Sequence, residues 1–275
     1  MRGGAGVVRA VVAAAVTVLF ALPLLFLLTG SFRQPQLPPP RTPQLVPEPL
    51  GLGSYERAFD LLDLSRYALN SLLVASLAAP LSVLVGSLAG FALAGLSRRL
   101  GTIVVVASVV ALLVPATALI VPRFALFRAL GVTDTYVPLL APALLATSPL
   151  YVLVFAWAFR RLPADLYDAC RLAGLSPFQT WWRVALPLVR PIAVGVGVLA
   201  FVISWGNFLD PLVYLYDPDL YTLPLGLRAL AELDRTDYPV LLAGAVVATA
   251  PVVAVFLVAQ RWFLTEYRGS HWLGG

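Results

Sequence analysis

Six long apolar runs dominate this chain, each at least about as long as a bilayer is thick, with most of the arginines standing between them. They cover roughly Val7 to Thr29, Ala68 to Leu96, Thr102 to Val121, Val137 to Phe159, Pro191 to Leu209 and Pro239 to Gln260. An ion at the bilayer centre costs at least about 2.5 kcal/mol, so charge collects at the ends of such runs. Here the ends carry Arg98 and Arg99, Arg123, Arg160 and Arg161, Asp210, and Arg261. Only 12% of the residues are charged and 60% are hydrophobic, about half the charge of a soluble domain. The pattern predicts an all-α integral membrane protein with six spans.

The arginines also orient it. With the N-terminus inside, the inner segments hold eleven arginines (Arg2, Arg9, Arg98, Arg99, Arg160, Arg161, Arg171, Arg183, Arg190, Arg261 and Arg268) against Asp165, Asp168 and Glu266, a net of +8. The outer segments hold the other eight arginines and eleven acids, a net of −3. Excess arginine marks the cytoplasmic side, so both termini are expected there. The first run follows Arg2 and Arg9 as a signal peptide would, but it exceeds the roughly 7–15 apolar residues of a signal core. An uncleaved anchor is expected. The implied divisions are an N-terminal span (1–29), an external proline-rich loop (30–67), a core of five spans (68–260) and a cytoplasmic tail (261–275). The loop carries Pro35, Pro38, Pro39, Pro40, Pro43, Pro47 and Pro49, then Ser54, placed to cap a short amphipathic helix from Tyr55 to Leu62 with Tyr55, Phe59 and Leu62 on one face.

Several chemistries have nothing to work with. The chain has no lysine, which excludes a phosphate-loop or Schiff-base lysine. Cys170 is the only cysteine and His271 the only histidine, so neither a zinc site nor nucleophile–histidine catalysis is expected. Arginines spread over short loops make a poor phosphate-tracking surface; lipid, not nucleic acid, is the expected environment.

Among the inner segments, residues 160–190 are long and polar. Pro163 suits a helix start and Asp165 its first turn. Leu162, Leu166, Ala169, Cys170 and Ala173 fall on one helical face, and Asp168 can pair with Arg171. Gly174 can end this helix in a left-handed turn, and Ser176 with Gln179 forms a capping box for a second one. The exposed apolar face calls for a partner: the lipid surface, the ends of the spans, or a docked cytoplasmic protein.

This stretch resembles the EAA loop of ABC-importer permeases. The likeness rests on Asp168-Ala169-Cys170, then Gly174, Ser176-Pro177-Phe178, Trp181 and Leu186-Pro187-Leu188-Val189-Arg190-Pro191. Asn70-Ser71, Leu130-Gly131-Val132-Thr133-Asp134-Thr135-Tyr136 and Tyr221-Thr222-Leu223-Pro224 extend it over nearly the whole chain, in the manner of the maltose-type carbohydrate permeases. Asp168 replaces the family's Glu, Cys170 its second Ala, and Ala173 its Asp before the loop glycine; Gly206 and Asn207 stand where the family has Asn and an acid.

The resemblance implies a six-span type I importer permease in a bacterial cytoplasmic membrane, with both termini inside. It also implies half of a pore completed by a second permease subunit. A cytoplasmic ATPase dimer would bind the ATP and Mg, leaving no cofactor in this chain, and an external solute-binding protein would deliver the cargo. Asp168 would make a polar contact with the ATPase, Ala169, Cys170 and Phe178 would fill its cleft, and Gly174 would form the elbow. A sugar or sugar-like solute is expected. Trp205, Asn207 and Asp210 are the candidate path residues, because aromatic faces with amide and carboxylate groups suit sugars; the competing reading makes Trp205 an interface anchor and Asp210 simply external. Arg123 raises an alternative, an anionic solute such as glycerol phosphate. The acidic stretch from Pro211 to Tyr238 is a candidate contact for the binding protein. A stand-alone secondary transporter would need ionisable residues inside the spans, which are almost free of them.

Overall fold

The computed structural model describes residues 2–39, 49–145 and 148–266. Expectations resting on Pro40, Pro43, Pro47, Arg268 and His271 lie outside the described residues. Among those described, regular structure is helical apart from one isolated antiparallel bridge between Arg33 and Leu50. The order is α1 (Arg2–Ser31), α2 (Gly53–Leu61), α3 (Leu64–Ala94), α4 (Arg98–Leu113), α5 (Ile120–Ala129), α6 (Val137–Leu144) and α7 (Pro149–Arg160). Then come α8 (Ala164–Leu172), α9 (Pro177–Thr180), a π turn (Trp181–Ala185), α10 (Leu186–Leu188), α11 (Arg190–Trp205), α12 (Leu209–Tyr214), α13 (Leu223–Leu233) and α14 (Tyr238–Glu266).

Four stretches are long and apolar enough to cross a membrane: Val7–Ser31, Leu64–Ala94, Val137–Arg160 and Tyr238–Gln260. Two bent pairs make six if each is one span. They are Arg98–Leu113 with Ala116–Ala129, bent by 87°, and Pro177–Leu188 with Arg190–Trp205, bent by 85°. The third apolar run is therefore bent, at the Pro115 that interrupts it. Pro115 has no N–H to continue the ladder and drives Val114 into extended backbone (φ −74°, ψ 117°), so α4 stops at Leu113.

The chain forms two compact units, Met1–Ala68 with Leu223–Pro251, and Leu69–Thr222 with Val252–Gly275. In the first, the helix expected over Tyr55–Leu62 starts earlier, at Gly53, and buries Ser54 and Ala58, four residues apart, while Phe59 is exposed. Ser54 does not cap this helix; its hydroxyl donates to the Arg33 carbonyl (2.5 Å). Tyr55 shares a 2.7 Å hydrogen bond with Ser31 at the end of α1. Asp237, 1% exposed, accepts from the Gln36 backbone N–H (2.8 Å) and lies 3.1 Å from Arg57 Nε.

The second unit is built where backbones approach closely. At Gly90 on α3 a Cβ would stand 2.6 Å from Phe155 Cβ and 2.9 Å from the Val152 oxygen and the Ala156 nitrogen, so only glycine lets α7 come this near. Around that contact Tyr151, Phe155 and Phe159 of α7 pack with Trp181, Ala185 and Val189, and with Val196 and Ala200 of α11. A second cluster gathers Val74, Phe127, Leu139, Ala141, Tyr214 and Leu215.

Candidate functional site: the elbow and the polar cluster

The elbow stands as two helices joined at Gly174. That residue has φ +72°, a backbone that costs other L-residues roughly 1–2 kcal/mol, and open space where a side chain would be. Ser176 then caps α9 reciprocally: its hydroxyl accepts from Gln179 N–H (3.2 Å) while Gln179 Oε1 accepts from Ser176 N–H (3.0 Å). Pro163 sits one position before the helix, as its N-cap, and Asp168 pairs with Arg171.

What anchors the elbow differs from what it shows. Trp181 is 1% exposed and Ala185 fully buried in the cluster with Phe155 and Phe159. Tyr167 donates to the Phe159 carbonyl (2.8 Å); burial, with Cys170 adding to it, pushes its phenol up and keeps the donor proton in place. The inward side chains are Leu162, just before α8, and Leu166 and Cys170 on it, spaced by four. Ala169 and Ala173 face out, so the five-residue apolar face expected from spacing is split. Cys170, 6% exposed, packs inside and is not offered to a partner; its place on the open surface is taken by Leu172, 90% exposed, which sequence spacing did not single out. Phe178, further along the elbow, is 61% exposed and lies 5.2 Å from the Trp181 ring, centroid to centroid. Two largely exposed apolar side chains and an exposed ion pair thus stand on a preformed bend.

The π turn and Pro187 continue the bend. A proline at 187 withholds an N–H from the ladder, and Pro191 does so again at the head of α11.

The candidate path residues meet a different fate. Trp205 is 4% exposed and stacked on Phe201 (centroids 6.0 Å apart). Asn207 and Asp210 do come together: Asn207 Nδ2 donates to Asp210 Oδ2 (2.8 Å), and Asp210 N–H donates to Asn207 Oδ1 (3.3 Å). Arg123 completes the group, 3.4 Å from Asp210 Oδ1 and over the ring of Tyr214 at 5.8 Å. The guanidinium on which an anionic-solute reading rests is therefore already balanced by a carboxylate.

Two of the segments quoted above for their family likeness hold residues 214–222, where the third begins. Asp134, at φ +60°, accepts through Oδ1 from the N–H groups of Tyr216 (2.8 Å) and Asp217 (3.0 Å), while its own N–H donates to the Tyr214 carbonyl (2.8 Å). The bonds from Asp217 and Tyr216 hold its carboxyl below the usual aspartate range. Asn70 Nδ2 donates to the carbonyls of Asp219 and Tyr221, both at 2.9 Å. The acids of the stretch 211–238 are likewise engaged: Asp217 caps the turn at Asp219, Glu232 pairs with Arg228, and Asp234 accepts from Thr236. They organise turns more than they present free charge.

Residues 82–268 match the family of binding-protein-dependent transport system inner membrane components. This chain belongs to that family. A permease of an arabinooligosaccharide transport system, AraQ of Halalkalibacterium halodurans, is 33% identical over 195 residues, covering 71% of this chain and 69% of that protein. LacG, a lactose transport system permease of Rhizobium radiobacter, is 30% identical and covers 73% of each chain. Among solved structures, a bacterial ABC transporter involved in import of the acidic polysaccharide alginate superposes with a TM-score of 0.74 at 16% identity, over 94% of this chain and 96% of that one. The fold is that of an ABC importer permease, and members of the binding-protein-dependent family are inner membrane transport components.

Proposed function

We propose that this chain is one permease subunit of an ATP-driven sugar importer, with both termini in the cytoplasm and six spans counted through the two bent pairs. The elbow carries this reading. A rigid bend, bolted inward by Trp181 and Tyr167 and presenting Leu172, Phe178 and the Asp168–Arg171 pair, is the shape of a handle gripped by another protein. The partner we assign to it is a cytoplasmic ATPase dimer that binds the ATP and Mg; Ala169 lines the contact, and Gly174 transmits the motion. A second permease subunit completes the pore and an external solute-binding protein delivers the cargo. Nucleotide binding closes the ATPase pair and biases a two-state swing of the pore halves; no bond is made or broken in this chain.

Relatives named for arabinooligosaccharides and lactose support a neutral oligosaccharide as the cargo. So does the charge balance of Arg123 with Asp210. Asn207 and Asp210 are the polar groups we assign to the solute path, with Trp205 as buried support behind them. Uptake by the complex of both permeases and the ATPase in proteoliposomes, driven by ATP inside the cytoplasmic face and by loaded binding protein on the other, tests this. Uptake without nucleotide, or by this chain alone under a proton gradient, would overturn it.

A further inference from the structure

Where α7 ends and α4 begins, within the second unit, four arginines and one exposed indole share a corner. Arg160 is turned inward: Nη2 donates to the Leu93 carbonyl (3.2 Å), and a Cβ on Gly101 would lie 2.6 Å from that nitrogen. This contact fixes the last turn of α7 against the first turn of α4. Its neighbour Arg161 takes another direction and lays its guanidinium over the Trp157 ring, 4.2 Å from the centroid. Trp157 is 53% exposed, alone among the side chains from Tyr151 to Phe159 in facing fully outward. Arg98 and Arg99 are exposed one turn before Gly101. Among the described residues, none of Arg98, Arg99 and Arg161 makes an ion pair.

From Arg99 an apolar stripe runs along α4 through Ile103, Val106 and Val110, at steps of four, three and four residues, exposed by 56%, 55% and 56%. The corner is thus cationic at one end and greasy along one side. A soluble acidic peptide or a nucleotide would match the guanidinium groups and leave the stripe wet. An apolar helix would cover the stripe and strand three cations without counter-charge. One ligand chemistry matches both.

We propose that this corner binds an anionic phospholipid of the surrounding bilayer. Arg98, Arg99 and Arg161 hold the headgroup phosphate, whose oxygens accept guanidinium N–H pairs in a bidentate manner. Trp157 sits at the interface and holds Arg161 in place by its ring face, the position in which indoles are enriched. An acyl chain lies along Ile103, Val106 and Val110. The contact orients the α4–α7 end of the permease in the bilayer independently of the cargo and of the ATPase.

The test uses the complex purified with its partner subunits and reconstituted into phosphatidylcholine nanodiscs containing trace photoactivatable phosphatidylglycerol or phosphatidylcholine. The expected result is labelling of peptides 98–110 and 157–161 by the phosphatidylglycerol probe, several-fold above the phosphatidylcholine probe. The triple variant Arg98→Gln, Arg99→Gln, Arg161→Gln should lose this preference, labelling equally with the two probes. The corresponding lysine triple should keep most of it. Should the glutamine triple fail to insert, the wild-type map with the two probes decides alone. Equal labelling by both probes, or capture of these peptides by a protein subunit in place of lipid, would overturn the proposal.

Discussion

The elbow and the polar cluster of Arg123, Asn207 and Asp210 are built from the same kinds of residue but use them in opposite ways. In residues 164–178 the apolar side chains Leu172 and Phe178 and the Asp168–Arg171 pair stand exposed on a bend that is complete without them. In the cluster of Arg123, Asn207 and Asp210, and in the loop held by Asn70 and Asp134, the polar side chains close on one another and on backbone groups. A surface whose groups are left over after folding is available to a partner. A surface whose groups are consumed in folding is a brace. Substitutions in the elbow should therefore cost transport and spare stability, whereas those in the cluster should cost stability, with Asn207 and Asp210 costing transport as well.

The largest separation is expected at Gly174. Gly174→Pro should bring ATP-driven uptake to background while the chain still reaches the membrane in normal amount, because the site is open but the backbone angle is barred to proline. Gly174→Asn, which tolerates left-handed backbone, should retain most activity. Next, Leu172→Ser with Phe178→Ser should weaken ATPase binding by about tenfold or more, as loss of an apolar anchor does. Thermal unfolding of the detergent-purified complex should change by no more than about 0.5 kcal/mol, the usual range for surface changes. Loss of stability with normal binding would reverse the assignment of the two regions.

For the cluster, Arg123→Ala should destabilise by about 1–3 kcal/mol because it leaves a half-buried carboxylate without its cation. A cycle with Asp210→Ala should return a coupling of about 0.5–3 kcal/mol, with ATPase binding unchanged. The smallest effect concerns Asp134. Its carboxyl is held below the ordinary aspartate value by the Asp217 and Tyr216 N–H groups. The contribution to stability is thus full above the unfolded value near about 3.9 and is lost as pH falls through the lower folded value. Asp134→Ala should remove that acid-side dependence and loosen residues 214–217 to hydrogen exchange; an unchanged acid profile would show the loop is held otherwise.

Much of this was legible in the chain. Apolar runs bounded by arginine are a period-free signal that local packing cannot disguise, and Gly174 with Ser176 and Gln179 specifies a turn and a cap by local chemistry alone. The rest depended on three-dimensional neighbours. Spacing put Ala169, Cys170 and Ala173 on one face of α8, but tertiary packing decides which part of that face turns in, so Cys170 is buried and Leu172 is not. Pro115 announces a kink and not its angle. The pairing of Arg123 with Asp210 joins positions far apart in sequence, and no local pattern marks it. Asn70 and Asp134 were visible as familiar residues; that both hold one loop was not.

The most direct measurement places a photoreactive phenylalanine analogue at position 172 or 178 in the chain expressed with its partner subunits. Crosslinks to the nucleotide-binding subunit, changing in yield between the nucleotide-free and the ATP-bound complex, are the expected result. Adducts only with lipid, or only within this chain, would contradict the view that the bend at Gly174 is gripped from the cytoplasm.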